Sequence, residues 1–296
     1  MIQKLRGYSY SAVVFHSMTD VYKLFIKFIP KTVRICWIGF GFDYYERSKL
    51  NLNRSFKERA KFYIKSNALN LCASYQRINF FCPVLESEFN SVVSRLNLNA
   101  EYVGWNYGSS NNVIERLKNE YVNGNSILLG NSATETNNHL AIIDELEKNN
   151  EQKEIIIPLS YGSREYTKVI KTRLSKSKLN YTLLTNFMSQ EEYFNTLKRC
   201  SFVIMNHKRQ QAAGNIITML SLGAKVILDK ENPLYKYTLN MGFKVFDNKD
   251  LGYQLSKKLH EKDKASNKSV SVDNFNSIVT LEKTKNLINK LTSIKV

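Results

Sequence analysis

The sequence predicts an α/β protein with two domains, each built on a parallel sheet. Three observations carry that expectation. Through the second half of the chain, apolar strand-like runs alternate with amphipathic helical patterns, as in βαβ units with helices on both faces of a sheet. Two strand-to-helix turns in this half, 130–139 and 206–211, are long, polar and made of small or hydrogen-bonding residues. Between the halves, residues 102–125 are rich in Asn, Gly, Ser and Tyr, the composition of a domain linker.

The first half reads as an abbreviated domain of this class. Runs at 11–15, 33–38, 68–73 and 79–82 have strand character, and 21–29 and 56–64 have helical character. The second half is more regular. Strands are expected near 126–129, 154–158, 181–185, 201–205 and 225–229, and helices near 134–148, 163–176, 189–199 and 210–222. Ser189 and Glu192 have the spacing of a capping box, in which hydroxyl and carboxylate each accept a backbone N–H, and Ser132 and Glu135 share it. Gly223 stands where a helix C′ residue belongs, and Pro233 suits the first turn of a short helix. A Lys/Ser/Asn stretch precedes a last helical pattern at 278–294. The domains expected are 1–107, 108–277 and a C-terminal helix, 278–296, packing back on the first.

Bulk properties narrow the function. A net charge of +17, from 43 basic and 26 acidic residues, calls for an anionic partner. Lysine is spread through the chain rather than gathered in a stripe or motif, so nucleic acid is not expected. Cys36, Cys72, Cys82 and Cys200 have no metal-site spacing and read as reduced thiols. Residues 1–11 hold no apolar signal core, and no apolar run approaches the roughly 20 residues that span a bilayer. P-loop, zinc and nucleophile-elbow motifs are absent. Gly39-Phe40-Gly41 lacks the third glycine of a dinucleotide fingerprint.

The chemistry gathers at strand ends. Gly130-Asn131-Ser132 exposes backbone N–H groups before a helix, a ready anion site, although a well-capped turn reads the same way. Arg209 lies after a strand and before a helix, where its planar fork and the helix dipole both suit a diphosphate. The plain alternative is a basic surface turn, His207-Lys208-Arg209. Ala212, Ala213 and Gly214 leave room for a ligand at the backbone. Phe187 and Met188, with Glu191 after them, form a turn that suits a nucleobase, or simply a capping box beside a core aromatic. In the first half, Asp43, on a loop after Gly39-Phe40-Gly41, and His16, at the end of the first strand, are candidate general bases.

Four stretches resemble the 4-acetamido-4,6-dideoxygalactose transferases, also called TDP-N-acetylfucosamine:lipid II N-acetylfucosaminyltransferases. They are CWIGFGFDYY (36–45), ILLGNSATETNNH (127–139), IIIPLSYG (155–162) and NHKRQQAAGN (206–215). The resemblance implies a GT-B architecture, two Rossmann-like domains facing across a cleft with the nucleotide sugar on the C-terminal one. It implies donor-binding residues among Gly130, Asn131, Ser132, Asn138, His139, Tyr161, Gly162, Phe187, Met188, Glu191, Arg209, Gln210, Gln211, Gly214 and Asn215. Thr218 stands about where many GT-B enzymes carry a ribose-binding Glu, a departure from that pattern.

The implied reaction moves a deoxyamino sugar from a TDP-sugar to a polyprenyl-diphosphate-linked saccharide, feeding enterobacterial common antigen or an O-antigen. No cofactor and no metal is expected. The implied partners are the TDP-sugar, the lipid-linked acceptor and an anionic membrane surface, with the enzyme peripheral on the cytoplasmic face of the bacterial inner membrane. The competing readings are another nucleotide-sugar enzyme, such as an epimerase, and a basic nucleic-acid-binding protein.

Overall fold

The structure is a computed structural model, and it describes residues 10–49, 74–105 and 113–293. The strand expected at 68–73 and the helix expected at 56–64 lie outside the described residues. The chain divides into two compact units, one formed by Met1–Tyr107 with Thr280–Val296 and the other by Gly108–Val279.

The first unit holds β1 (Ala12–His16), α1 (Asp20–Ile26), β2 (Arg34–Ile38), α2 (Phe42–Lys49), β3 (Phe80–Cys82), α3 (Phe89–Leu96) and β4 (Glu101–Tyr102). Its strands are parallel and lie in sequence order, β1-β2-β3-β4. Every crossover therefore steps in one direction, and right-handed crossovers put the connecting helices on one face. The period of two along a strand sorts the side chains accordingly. Ile35, Trp37 and Phe81 pack with Ile26, Tyr44, Val92 and Leu96. Cys36, Ile38, Phe80 and Cys82 point the other way, onto Leu287 and Leu291. Those leucines belong to the C-terminal helix, Ser277–Thr292, which supplies the second apolar layer. Trp105 Nε1 donates to Thr284 Oγ1 at 3.0 Å, and Arg34 Nη1 to the Lys290 carbonyl at 2.6 Å, fixing its place along the sheet.

Two expectations for this unit need correction. The helix expected over 21–29 is α-helical only to Ile26: Lys27, Phe28 and Ile29 donate to carbonyls three residues back, a tighter last turn that runs up to Pro30, which cannot donate. Asp43 is not on a loop: it sits in the first turn of α2, where a carboxylate suits the positive end of the helix.

The second unit begins with a short helix, α4 (Val113–Arg116), inside the stretch expected to be a linker. There follow β5 (Ser126–Leu129), α5 (His139–Lys148), β6 (Ile155–Pro158), α6 (Arg164–Leu174), β7 (Tyr181–Leu184), α7 (Gln190–Lys198), β8 (Cys200–Met205), α8 (Ala213–Ser221), β9 (Lys225–Leu228), α9 (Pro233–Asn240), β10 (Phe246–Asp247), α10 (Leu251–Ser256) and α11 (Glu261–Phe275), with Ser277–Thr292 as α12. The sheet is parallel, in the order β10-β9-β8-β5-β6-β7. The chain runs outward from β5 through β6 to β7, then returns to the opposite side of β5 with β8. The order thus reverses between β5 and β8. In open α/β sheets that reversal opens a crevice beyond the carboxyl ends of the two strands, where ligands bind.

Local backbone geometry shapes this edge. The helix expected from residue 134 begins at His139, after a single 3-10 turn at Glu135–Asn137 and a left-handed Asn138 (φ 51°). Ser132 and Glu135 form no capping box, because Ser132 Oγ instead meets the Thr134 hydroxyl and the Asn137 amide. Ser189 and Glu192 do form theirs, at the start of α7. α8 begins at Ala213 rather than 210, since Ala212 is left-handed (φ 60°) and cannot continue a helix.

Candidate functional site

The two polar turns leave neighbouring strands, β5 and β8, at the topological reversal, and their side chains join in one hydrogen-bonded network. Asn137, in the first turn, organises it. Its Oδ1 accepts the Asn131 backbone N–H at 2.9 Å, and its Nδ2 donates to Thr134 Oγ1 at 2.7 Å, the Thr134 carbonyl at 3.2 Å and Ser132 Oγ at 3.1 Å. From the second turn, Gln211 Nε2 donates to Asn131 Oδ1 at 3.0 Å and Thr134 Oγ1 at 3.2 Å, while its Oε1 accepts from Thr136 at 2.6 Å. His207 Nε2 lies 2.8 Å from Asn137 Oδ1 and 3.2 Å from Asn131 Oδ1.

A third turn, after β6, joins through Tyr161. The Asn131 Nδ2 donates to its hydroxyl at 2.6 Å. Backbone bonds lock the same two turns together: the Ala133 N–H donates to the Tyr161 carbonyl, and the Ser163 N–H to the Ala133 carbonyl. Gly162 (φ 116°) passes so close to Ala133 that a Cβ would collide with its carbonyl. Gly130 (φ 67°) is under the same constraint, because a Cβ there would strike His139 Nε2 and Asn137 Oδ1.

Two imidazoles are buried here, His207 within the network and His139 beside it with its Nδ1 on the Tyr166 hydroxyl, and both are neutral near pH 7. Burial pulls the His139 pKa down to about 4, against a smaller opposing effect from a bond to the Leu129 backbone. Burial likewise takes His207 down to about 3, with smaller contributions from repulsion by His139, once that ring is itself protonated, and by the Arg209 guanidinium.

The predicted residues separate into an inner and an outer set. Gly130, Asn131, Ser132, His139 and Gln210 are buried, and Asn131 and Ser132 spend their side-chain groups on the network. Tyr161, Gly162, Glu191 and Gly214 are exposed, and Asn138, Met188, Arg209, Gln211 and Asn215 are half-buried. A Cβ at Gly214 would meet nothing within 4 Å. Phe187 is 94% exposed, not a core aromatic. Asn215 Nδ2 donates to Tyr193 of α7 at 3.3 Å, and the Asn138 carbonyl accepts from Asn206 at 3.5 Å. The turn His207-Lys208-Arg209 is not simply a basic surface: Lys208 is exposed and pairs with Glu231, but His207 is wholly buried.

In the first unit, Asp43 is 8% exposed. Its Oδ2 accepts the Met18 N–H at 2.9 Å and Trp37 Nε1–H at 2.8 Å, and its Oδ1 accepts the Phe40 N–H at 2.9 Å. Burial raises its pKa, and these hydrogen bonds oppose the rise. His16 is exposed at the end of β1, with Trp105 edge-on at 6.3 Å.

Residues 21–273 match the family described as 4-alpha-L-fucosyltransferase glycosyl transferase group 56. The chain belongs to this family. It is a glycosyltransferase that moves a sugar from a nucleotide-sugar donor, which decides against the nucleic-acid-binding and epimerase readings. Similar solved structures agree on the fold. Anabaena HepE in complex with UDP-glucose aligns with a TM-score of 0.65 at 11% identity, over 97% of this chain and 80% of that one. An apo structure of OtsA gives 0.66 at 11%, over 100% and 76%. Sucrose-phosphate synthase from Thermosynechococcus elongatus gives 0.67 at 8%, over 98% and 75%. The fold of this group 56 glycosyltransferase is therefore GT-B.

Sequence reasoning missed four members of the glycosyltransferase's network: Asn137, His207, Thr134 and Thr136. All lie inside the stretches that carry the family resemblance. Nothing in a single sequence marks a histidine between Asn and Lys as buried.

Proposed function

We propose that this enzyme transfers a deoxyamino sugar, of the 4-acetamido-4,6-dideoxygalactose type, from a TDP donor to a polyprenyl-diphosphate-linked saccharide, in the synthesis of enterobacterial common antigen or an O-antigen. The observation that carries the reading is the network at the β5/β8 reversal, built from the two stretches most specific to the family. HepE, of the same fold, holds UDP-glucose. In this reading the inner residues shape the turns, while Arg209, Gly214, Tyr161 and the backbone N–H groups of the turns face the donor. Arg209 offsets the charge that develops on the leaving TDP. The sequence carries no Asp-x-Asp motif, so the reaction is proposed to need no metal and to survive EDTA. Phe187 walls the base.

On the acceptor side, Asp43 is the proposed proton acceptor if transfer inverts configuration, with His16 the second choice. Burial favours Asp43 as a base, whereas its three hydrogen bonds equally suit a carboxylate that ties loops together. Asp43→Asn separates the roles: a base predicts lost transfer with TDP binding and stability intact. Among the described residues, no helix is long and apolar enough to cross a membrane. The enzyme is proposed to reach its acceptor by electrostatic attraction to the anionic cytoplasmic face.

A thermal-shift panel with TDP, UDP, GDP and CDP tests the donor class, because selective binding raises the melting temperature by mass action. A TDP-selective shift, with a new glycolipid formed from TDP-sugar and lipid-linked acceptor, supports the reading. A shift selective for another nucleotide overturns it.

A further inference from the structure

His207 is an unusual residue to bury. It has no solvent exposure, and its ring stands between the turns after β5 and β8. Its tautomer follows from its neighbours. The orientation of the Asn137 side-chain amide is set by two backbone groups of fixed polarity: Oδ1 receives the Asn131 N–H, and Nδ2 gives to the Thr134 carbonyl. The atom facing His207 Nε2 at 2.8 Å is therefore an oxygen. Its second neighbour, Asn131 Oδ1, lies at 3.2 Å and also meets Gln211 Nε2, but the polarity at Nε2 is decided by Asn137, whose partners are backbone groups. The fixed Asn137 acceptor requires that Nε2 carry the proton. Nδ1 is then a bare lone pair, buried and without a hydrogen-bond partner. A ring that leaves one nitrogen unsatisfied loses stability through desolvation. A phenylalanine would fill the space without that cost, so the Nε2–H has a use.

We infer that His207 is a positioning residue for the donor site, whose Nε2–H, shared between Asn137 and Asn131, holds the Gly130–Thr134 turn in the shape that receives the nucleotide diphosphate. This rests on the donor-site reading above. The bond reaches both anchors of the turn: Asn137, which fixes the Asn131 backbone, and the Asn131 side chain, which reaches Tyr161 and Gln211. Without it, the Asn137 oxygen keeps one donor of two, and among the hydrogen bonds described the side-chain ties from the turn after β8 are left to Gln211 and to the longer bond from Asn206 to the Asn138 carbonyl.

The test compares His207→Phe, which keeps a ring but no donor, with His207→Gln, whose amide N–H reaches a similar point. TDP affinity by calorimetry, donor KM and kcat, and melting temperature are measured for each, with Arg209→Ala alongside. Loss of the buried bond should weaken TDP binding and raise donor KM by about tenfold in His207→Phe, with kcat little changed. His207→Gln should recover most of the loss. Wild-type TDP affinity in a folded His207→Phe, while Arg209→Ala is impaired, overturns the positioning role. Wild-type affinity in both variants instead removes the donor site on which it rests. If His207→Phe does not fold, the wild-type protein decides, through nitrogen-15 NMR of its histidines: an Nε2–H tautomer that responds to added TDP is expected, and an Nδ1–H tautomer, or an Nε2–H signal indifferent to TDP, refutes the inference.

Discussion

Among the described residues, the buried carboxylates and the buried imidazoles fall in different units, although each unit also buries lysine. The first buries carboxylates. Asp43 is tied to Trp37 and two backbone N–H groups, and Glu88 accepts from the hydroxyls of Tyr44 and Tyr45. The second buries imidazoles, His139 and His207, among side-chain amides and hydroxyls. Their sheets differ in parallel: the first steps in one direction throughout its described strands, while the second reverses between β5 and β8. The carboxylates clamp loops against an aromatic core. The imidazoles stand beneath a reversal whose outer rim, Tyr161, Gln211, Arg209 and Gly214, is at least partly open to solvent. In the proposed reading, what distinguishes the donor site is burial at a topological reversal with an exposed polar rim above.

The largest effect expected from this contrast is on turnover. Arg209→Ala should lower transfer by on the order of a hundredfold or more, as loss of one charge-stabilising donor does elsewhere. Full activity in that variant would put the diphosphate somewhere other than the β5/β8 edge.

The second is a divergence in acid. His139 and His207 have folded values, about 4 and about 3, below the ordinary 6.5. Their contribution to stability is complete above 6.5 and is lost as pH falls towards the folded values. Between pH 7 and pH 5 this amounts to about 2 kcal/mol per imidazole. Asp43 and Glu88 have raised values, so their contribution is complete below the ordinary carboxylate range and is lost as pH rises through the folded values. Acidification should therefore loosen the second unit while tightening the first. Hydrogen exchange resolved by segment reads both, and parallel responses in the two units would break the comparison.

A third, smaller effect concerns Asp43 as a clamp. An amide cannot accept at both of its heavy atoms, so Asp43→Asn leaves at least one buried donor unmet, at a cost of about 1 kcal/mol or more. Exchange should quicken around Met18, Trp37 and Phe40, with TDP affinity unchanged. Unaltered stability with abolished transfer would instead favour the base. The smallest effect is on membrane association: moderate salt should release the protein from anionic vesicles, and retention at molar salt would require a buried apolar contact.

The reach of the sequence varies between these regions for physical reasons. Of the five predicted strands of the second half, β5, β6, β8 and β9 are short runs buried on both faces and β7 is a half-buried edge strand, and all stand out without tertiary information. α11 does not. It buries Asn267, Lys268 and Ser271, with Phe275 the one large apolar residue on that face, so no apolar period exists to be read. Asn267 bonds the Lys244 backbone in both directions, and Lys268 Nζ caps the carbonyls of Leu117, Lys118 and Glu120. The site shows the same division. Its turns were legible from polarity and flanking pattern. The inner role of Asn131 and Ser132, and the part played by Asn137 and His207, depended on left-handed Asn138 and Ala212, which move the helix starts and free the turns to interlock.

The measurement closest to the central claim is hydrogen exchange, followed by mass spectrometry, with and without saturating TDP. If the donor sits at the β5/β8 reversal, TDP should slow exchange in 130–138, 161–163 and 206–214 and leave β1 to β4 largely unchanged. Protection confined to the first unit, with those three segments unaffected, would contradict it.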